Sequence, residues 1–240
     1  MIHGAETGKM PTMKNKNLIA VLVLAAPLGA AWSQSLYMAG AESSRDASYL
    51  YVGRMASIGH DALKNGPVYR LWVDQTKYQY VSNGVVHKAS MLGAEAGVGV
   101  LFDDGTLGGS VFASLAARDT KISPDDLGND GRGSNLTVKL QTDLNYRFSQ
   151  RWSAGLGASY TVLNQGYWTR LRLMWAQSER LSLGLEFVRQ GDANYALHQN
   201  GVFLSGPRLG PFDLGLKAGS RQVLGERSAP YIGIELGVMY

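Results

Sequence analysis

Leu136-Thr137-Val138-Lys139-Leu140-Gln141-Thr142-Asp143-Leu144-Asn145-Tyr146-Arg147-Phe148 decides the fold. Leu136, Val138, Leu140, Leu144, Tyr146 and Phe148 alternate with Thr137, Lys139, Gln141, Asp143, Asn145 and Arg147, and only Thr142 interrupts the apolar set. A helix would mix the two sets, whereas a strand sends successive side chains to opposite faces. The alternation recurs from Leu92 to Phe102, where Glu95 stands among glycines on the polar side, and again from Ala154 to Val162. Leu181 to Phe187 and Phe212 to Ala218 repeat it, and Ile232, Ile234, Leu236, Val238 and Tyr240 carry it to the last residue.

Two all-β architectures fit such alternation: a soluble sandwich and a barrel in the outer membrane. The strands run about 10–16 residues, whereas soluble strands average about 5–6 and a tilted bilayer strand needs about 9–11. The polar face is rich in Gly, Ser and charge, as a lumen is, and the apolar face ends in aromatics at the level of an interfacial girdle. The strand that ends at Tyr240 would be an exposed edge unless a barrel closed over it. We therefore expect an all-β, antiparallel up-and-down transmembrane β-barrel of 10–12 strands, with twelve preferred. Strands are expected near 47–57, 67–81, 86–102, 107–117, 134–148, 152–163, 167–177, 180–189, 195–204, 211–220 and 230–240. Bacterial single-chain barrels have even strand numbers, so either a twelfth is missing, with Leu36 to Ala41 the candidate, or one of the eleven is not a strand; the weakest alternation is that of 195–204. Asp119 to Gly133 is the longest polar connection and is assigned to the outside. Counting strands from it makes Asn164–Gly166, Gln190–Asn194 and Leu224–Ala229 external. Ser149–Arg151, Gln177–Glu179 and Tyr240 then fall on the periplasmic side.

Composition agrees. The 240 residues hold 45% hydrophobic and only 18% charged residues, 30 glycines, 12 tyrosines and no cysteine, against about 25% charge and 7% Gly in ordinary soluble domains. Without cysteine there is no disulfide framework and no thiolate metal centre. The mean hydropathy of −0.11 is the average of two opposite strand faces.

Residues 1–33 read as a leader. Lys14 and Lys16 precede the apolar Leu18–Leu24, and Ala31-Trp32-Ser33 places small residues before Gln34, the layout of a secretory signal peptide. The leader takes about half of the net charge of +4 with it, so the basic balance does not indicate a nucleic-acid partner. The remainder divides into an N-terminal segment, 34–46, and the barrel, 47–240, in the outer membrane of a Gram-negative cell with membrane lipid as its surroundings.

A lumenal polar network is expected from Arg70, Asp74, Glu95, Lys139, Asp143, Arg147, Arg170, Arg172, Glu186, Asp213, Lys217 and Glu235. It reads as salt bridges that fill a small barrel, with a polar conduit or a sugar-binding lumen as the functional alternative. Tyr167, Trp168 and Tyr195 follow external turns and are candidates for stacking on sugars, against the plainer role of interface girdle. The four histidines have no metal-ligand spacing, and neither metal nor cofactor is expected. Ser82, His87 and Ser90 contain the side chains of acyl transfer, but Asn83-Gly84 between them is the strongest two-residue hairpin signal. No catalytic residue is assigned. The glycine pairs Gly97/Gly99 and Gly155/Gly157 lack a following helix and mark places where large lumenal side chains cross.

Ser48-Tyr49-Leu50-Tyr51-Val52-Gly53, Tyr69-Arg70-Leu71-Trp72 with Tyr78-Gln79-Tyr80, Ser123-Pro124-Asp125-Asp126, Tyr167-Trp168-Thr169-Arg170-Leu171-Arg172 and Gly184-Leu185-Glu186-Phe187 resemble the cellulose biosynthesis protein BcsS family over nearly all of the chain after the leader. The resemblance implies an outer-membrane or periplasm-facing accessory encoded with bacterial cellulose synthase and carries over no catalytic residue. With the leader and the amphipathic strands, the leading expectation is a non-enzymatic outer-membrane accessory that assists secretion or surface organisation of the polysaccharide. Its partners would be a cellulose or other glucan chain and components of cellulose secretion. A small diffusion porin and a lipid- or glycan-modifying barrel enzyme are the alternatives.

Overall fold

The computed structural model describes residues 34–59, 62–192, 195–225 and 227–240. The expected leader, with His3, and His60 lie outside the described residues. Among the described residues twelve strands form one closed antiparallel barrel in sequence order: β1 (Ser35–Ser44), β2 (Ala47–Ser57), β3 (Gly66–Ser82), β4 (Val85–Asp103), β5 (Leu107–Ser123), β6 (Gly133–Arg147), β7 (Trp152–Thr161), β8 (Gly166–Ala176), β9 (Ser182–Gly191), β10 (Ala196–Leu209), β11 (Phe212–Val223) and β12 (Ala229–Met239). The last pairs with the first, from Leu36 opposite Met239 to Ser44 opposite Tyr231, so neither keeps an open edge.

The twelfth strand is β1, which contains the candidate Leu36 to Ala41. Residues 34–46 therefore do not stand apart from the barrel. Tyr37, Ala39 and Ala41 present too small an apolar face for the alternation to stand out, but pairing on both sides makes the segment a wall strand. Residues 195–204 are also a strand, and β10 runs on to Leu209.

All strands are hydrogen-bonded on both sides, so backbone polar groups are satisfied within the wall. The alternation then sorts side chains. Val98, Val100, Val111, Leu115, Leu136, Leu140, Val202 and Ile232 are each more than half exposed on the outer surface, which in water would be a costly apolar patch and against acyl chains is not. Near the end that carries Tyr240, Tyr146 stacks near Phe148, Trp152 lies opposite Trp175 and Tyr37 meets Tyr240 edge-on, an aromatic girdle.

The rim opposite Tyr240 carries the 124–132 connection together with the turns after β1, β3, β7, β9 and β11. The Tyr240 rim carries the others. The sequence grouping of turns is thus reproduced, although the polar connection is shorter than the expected 119–133 because Asp119–Ser123 belongs to β5. The hairpin between β3 and β4 is the two-residue Asn83-Gly84, both at positive φ (50° and 76°), as a turn that matches strand twist requires.

Candidate functional site: the lumen

The inner faces of the strands converge on two ionic clusters. In the first, Glu95 on β4 lies 3.3 Å from Nη2 of Arg70 on β3 and 2.9 Å from Nζ of Lys139 on β6. The Arg70 guanidinium also lies 4.7 Å over the Trp72 ring, and Trp72 stacks on Tyr51 with centroids 4.5 Å apart.

The second cluster centres on Glu235 of β12. Arg172 on β8 reaches it at 3.0 Å, Lys217 on β11 at 3.3 Å and Arg170 on β8 at 3.7 Å. Arg172 donates its Nε to Glu186 on β9 at 2.6 Å and sits 4.6 Å over the Phe203 ring. Lys217 also contacts Glu42 on β1 at 2.9 Å, and Glu42 accepts from Gln199 of β10 at 2.5 Å. Side chains from β1, β8, β9, β10, β11 and β12 are thereby tied into one network. Glu186 is 1% exposed, and a buried carboxylate persists only where cations and hydrogen bonds compensate its desolvation. The cavity left between Arg172, Phe203, Lys217 and Glu235 holds about 10 Å³, about the space of one water molecule.

Of the expected network, Arg70, Glu95, Lys139, Arg170, Arg172, Glu186, Lys217 and Glu235 are brought together. Asp143 is on the inner face and accepts from Gln141 at 2.8 Å, and Asp74 packs beside Gly93; neither joins an ion pair among the described residues. Arg147 and Asp213 are corrections. Arg147 is exposed where β6 ends at the Tyr240 rim. Asp213 pairs with Arg208 at 3.0 Å on the same rim, both more than half exposed. Both continue the polar alternation of their strands to the rim, beyond the two ionic clusters.

The aromatic candidates do not form one surface. Tyr167 points outward and Trp168 inward, as neighbours on a strand must, and Arg170 lies 5.3 Å over the Trp168 ring. Tyr195 stands at the rim, its amide donating to Asp192 at 3.2 Å. The inner aromatic stack is instead Tyr51–Trp72. Sequence reasoning missed it and missed Glu42. The signals were there: Tyr51 and Trp72 are aromatics on the polar side of β2 and β3, and Glu42 occupies the inward phase of β1.

Of the expected glycines, Gly99 and Gly157 mark the crossing of a large lumenal side chain, whereas a Cβ at Gly97 would meet the small Ser114. A Cβ at Gly99 would meet Phe112, one at Gly157 would meet Trp168 and one at Gly53 would overlap Trp72. His87 and Ser90 face opposite sides of β4, separating imidazole from hydroxyl. His87 is buried and its Nδ1 donates to the Pro124 carbonyl at 2.8 Å, which makes it a loop anchor.

Solved structures with this fold include the KdgM porin (10% identity, 83% of this chain and 97% of that chain, TM-score 0.50) and a TodX mutant monoaromatic hydrocarbon channel (8% identity, 88% and 90%, TM-score 0.57). An outer membrane channel from Pseudomonas putida F1 is a third (10% identity, 88% and 97%, TM-score 0.55). At these identities the likeness is one of fold, that of an outer-membrane-type barrel. No curated protein matches the chain. The family model for cellulose biosynthesis protein BcsS matches residues 36–239, from β1 to β12 and thus the whole wall that carries both clusters, and the chain belongs to that family.

Proposed function

We propose that the protein is a non-enzymatic outer-membrane accessory that assists secretion or surface organisation of cellulose, with the 124–132 rim outside and Tyr240 on the periplasmic side. Family membership supports the cellulose-related process. The Glu235 node supports the accessory role: a glucan chain moving through the lumen would have to break contacts from Arg170, Arg172 and Lys217 at once, and the adjoining cavity admits about one water. This favours action at the outer surface or on the secretion apparatus over service as the conduit.

The test is deletion in a cellulose-producing strain, with extracellular cellulose quantified and its fibre architecture imaged. The expected result is altered amount or architecture, restored by the wild-type gene. Cellulose unchanged in both respects overturns the reading.

A further inference from the structure

Lys77, Lys88 and Lys121 are exposed and point outward at the 124–132 rim, on three neighbouring strands. The register sets them around one residue: Ser90 lies opposite Lys77 of β3 on one side and Lys121 of β5 on the other. Two strand spacings put the Lys77 and Lys121 backbones about 10 Å apart. Lys88 is two residues further along β4, on the same face as Ser90.

Among the described residues none of the three forms an ion pair. Two carboxylates near this cluster are engaged elsewhere: Asp119 accepts from the Ser134 hydroxyl at 2.8 Å, and Asp46 accepts from Gln79 at 2.6 Å and lies 3.8 Å from Arg45. The lysines border an open groove of about 600 Å³, which the β1–β2 turn at Arg45 and Asp46 closes on one side.

Depth identifies what meets this groove. On the outward face of β4, Leu92 is 52% exposed and is followed by Ser90 and Lys88, with Val86, 54% exposed, further along the same face. Ser90 is two residues beyond Leu92 and Lys88 four, so on a tilted strand the lysines stand about 5–10 Å above Leu92 and below the outward Val86–Val81 pair. The head-group zone of a bilayer is about that thick. Three ammonium groups around a hydroxyl, at that height and facing lipid, complement phosphate monoesters carried on a lipid.

We propose that this groove docks the phosphorylated saccharide head group of an outer-leaflet glycolipid; the proposal rests on the outer-membrane placement given above. The test uses the purified full barrel in neutral detergent, titrated by native mass spectrometry with a bisphosphorylated lipid A, the same glycolipid stripped of phosphate, and a zwitterionic phospholipid. Only the phosphorylated form should bind. The triple variant Lys77→Gln, Lys88→Gln, Lys121→Gln should lose on the order of 100-fold in affinity, while the corresponding triple arginine variant keeps it. All three side chains are exposed, so retained gel mobility of the folded band checks that the variant is intact.

Equal binding by the glutamine variant, equal binding of the dephosphorylated glycolipid, or displacement by millimolar inorganic phosphate, which would make the groove a free-anion site, each overturns the proposal. Density fractionation of the producing cells tests the placement separately. A chain that sediments with the outer membrane yet ignores the phosphorylated lipid removes the docking site alone. A chain found elsewhere removes the placement, and with it the leaflet.

Discussion

Gly53 shows how tightly the inner wall is drawn. A methyl group there would occupy the volume of the Trp72 ring, which is held between the Tyr51 stack and the Arg70 guanidinium. Gly53→Ala should therefore destabilise the barrel by about 1–3 kcal/mol, the usual range for overpacking. Gly237→Ala, where a Cβ meets nothing within 4 Å, should change little. The denaturant midpoint for loss of the heat-modifiable folded band reads both, and equal midpoints would remove the Tyr51–Trp72 stack as a packing constraint. Glu235 is a second such point. Gln at this position leaves Arg170, Arg172 and Lys217 without their shared anion, and for this half-buried group the cost should be about 1–3 kcal/mol, below that of a fully buried pair. Asp213→Asn breaks the exposed pair with Arg208 and should cost at most about 1 kcal/mol. Similar midpoints for the two variants would mean that the node is well hydrated.

At the scale of the element, alternation is legible where one face meets lipid and fades where it does not. β6 was readable from Leu136 to Phe148 because Leu136, Val138 and Leu140 face acyl chains while Lys139 and Asp143 face the lumen. The upper part of β5, from Arg118 to Ser123, was not, because above the apolar band both faces are polar. The same limit hid how the 124–132 loop sits. The Tyr80 hydroxyl donates to Asp126 at 2.9 Å and accepts from Asn129 at 3.1 Å, while His87 holds Pro124. No periodicity encodes such contacts between a strand and a loop. The Tyr80 hydrogen bond, with the Gly128 amide and the nearby His87 adding to it, holds the Asp126 carboxyl below the usual carboxylate range. A depressed pKa means that this contact stabilises the loop above about pH 4, the ordinary Asp value, and is lost as pH falls through the lower folded value. Hydrogen exchange of the 124–132 amides, corrected for intrinsic rate, should be slower at pH 6 than at pH 3. Tyr80→Phe should lose most of that difference, and a variant with the full pH dependence would show that another group anchors the loop.

For the whole molecule, twelve strands enclose a lumen crossed by two ionic clusters, and conductance separates the accessory reading from a porin. Planar-bilayer recordings of the wild-type barrel should show no steady conductance of the kind a diffusion porin gives. Sustained open-channel current would mean that the two ionic clusters line a passage. Strand number and the polar face were readable before the structure. The ionic node across the lumen was not, because it depends on side chains from β1, β8 and β12 meeting across an interior whose width no single strand records.

The seam between β1 and β12 has a consequence in time. The Ser35 and Tyr240 backbones exchange hydrogen bonds of 2.7 and 2.9 Å, across nearly the entire described chain. Until β12 has been delivered, every partial assembly keeps two unpaired edges, and each edge can recruit a neighbouring chain. Completion thus waits for the final strand, and the most distant pairing in sequence is the one whose closure entropy delays folding most. A chaperone or insertion machine that shields those edges would have its greatest effect just before the last strand docks, when the wall is nearly complete and still sticky along both margins.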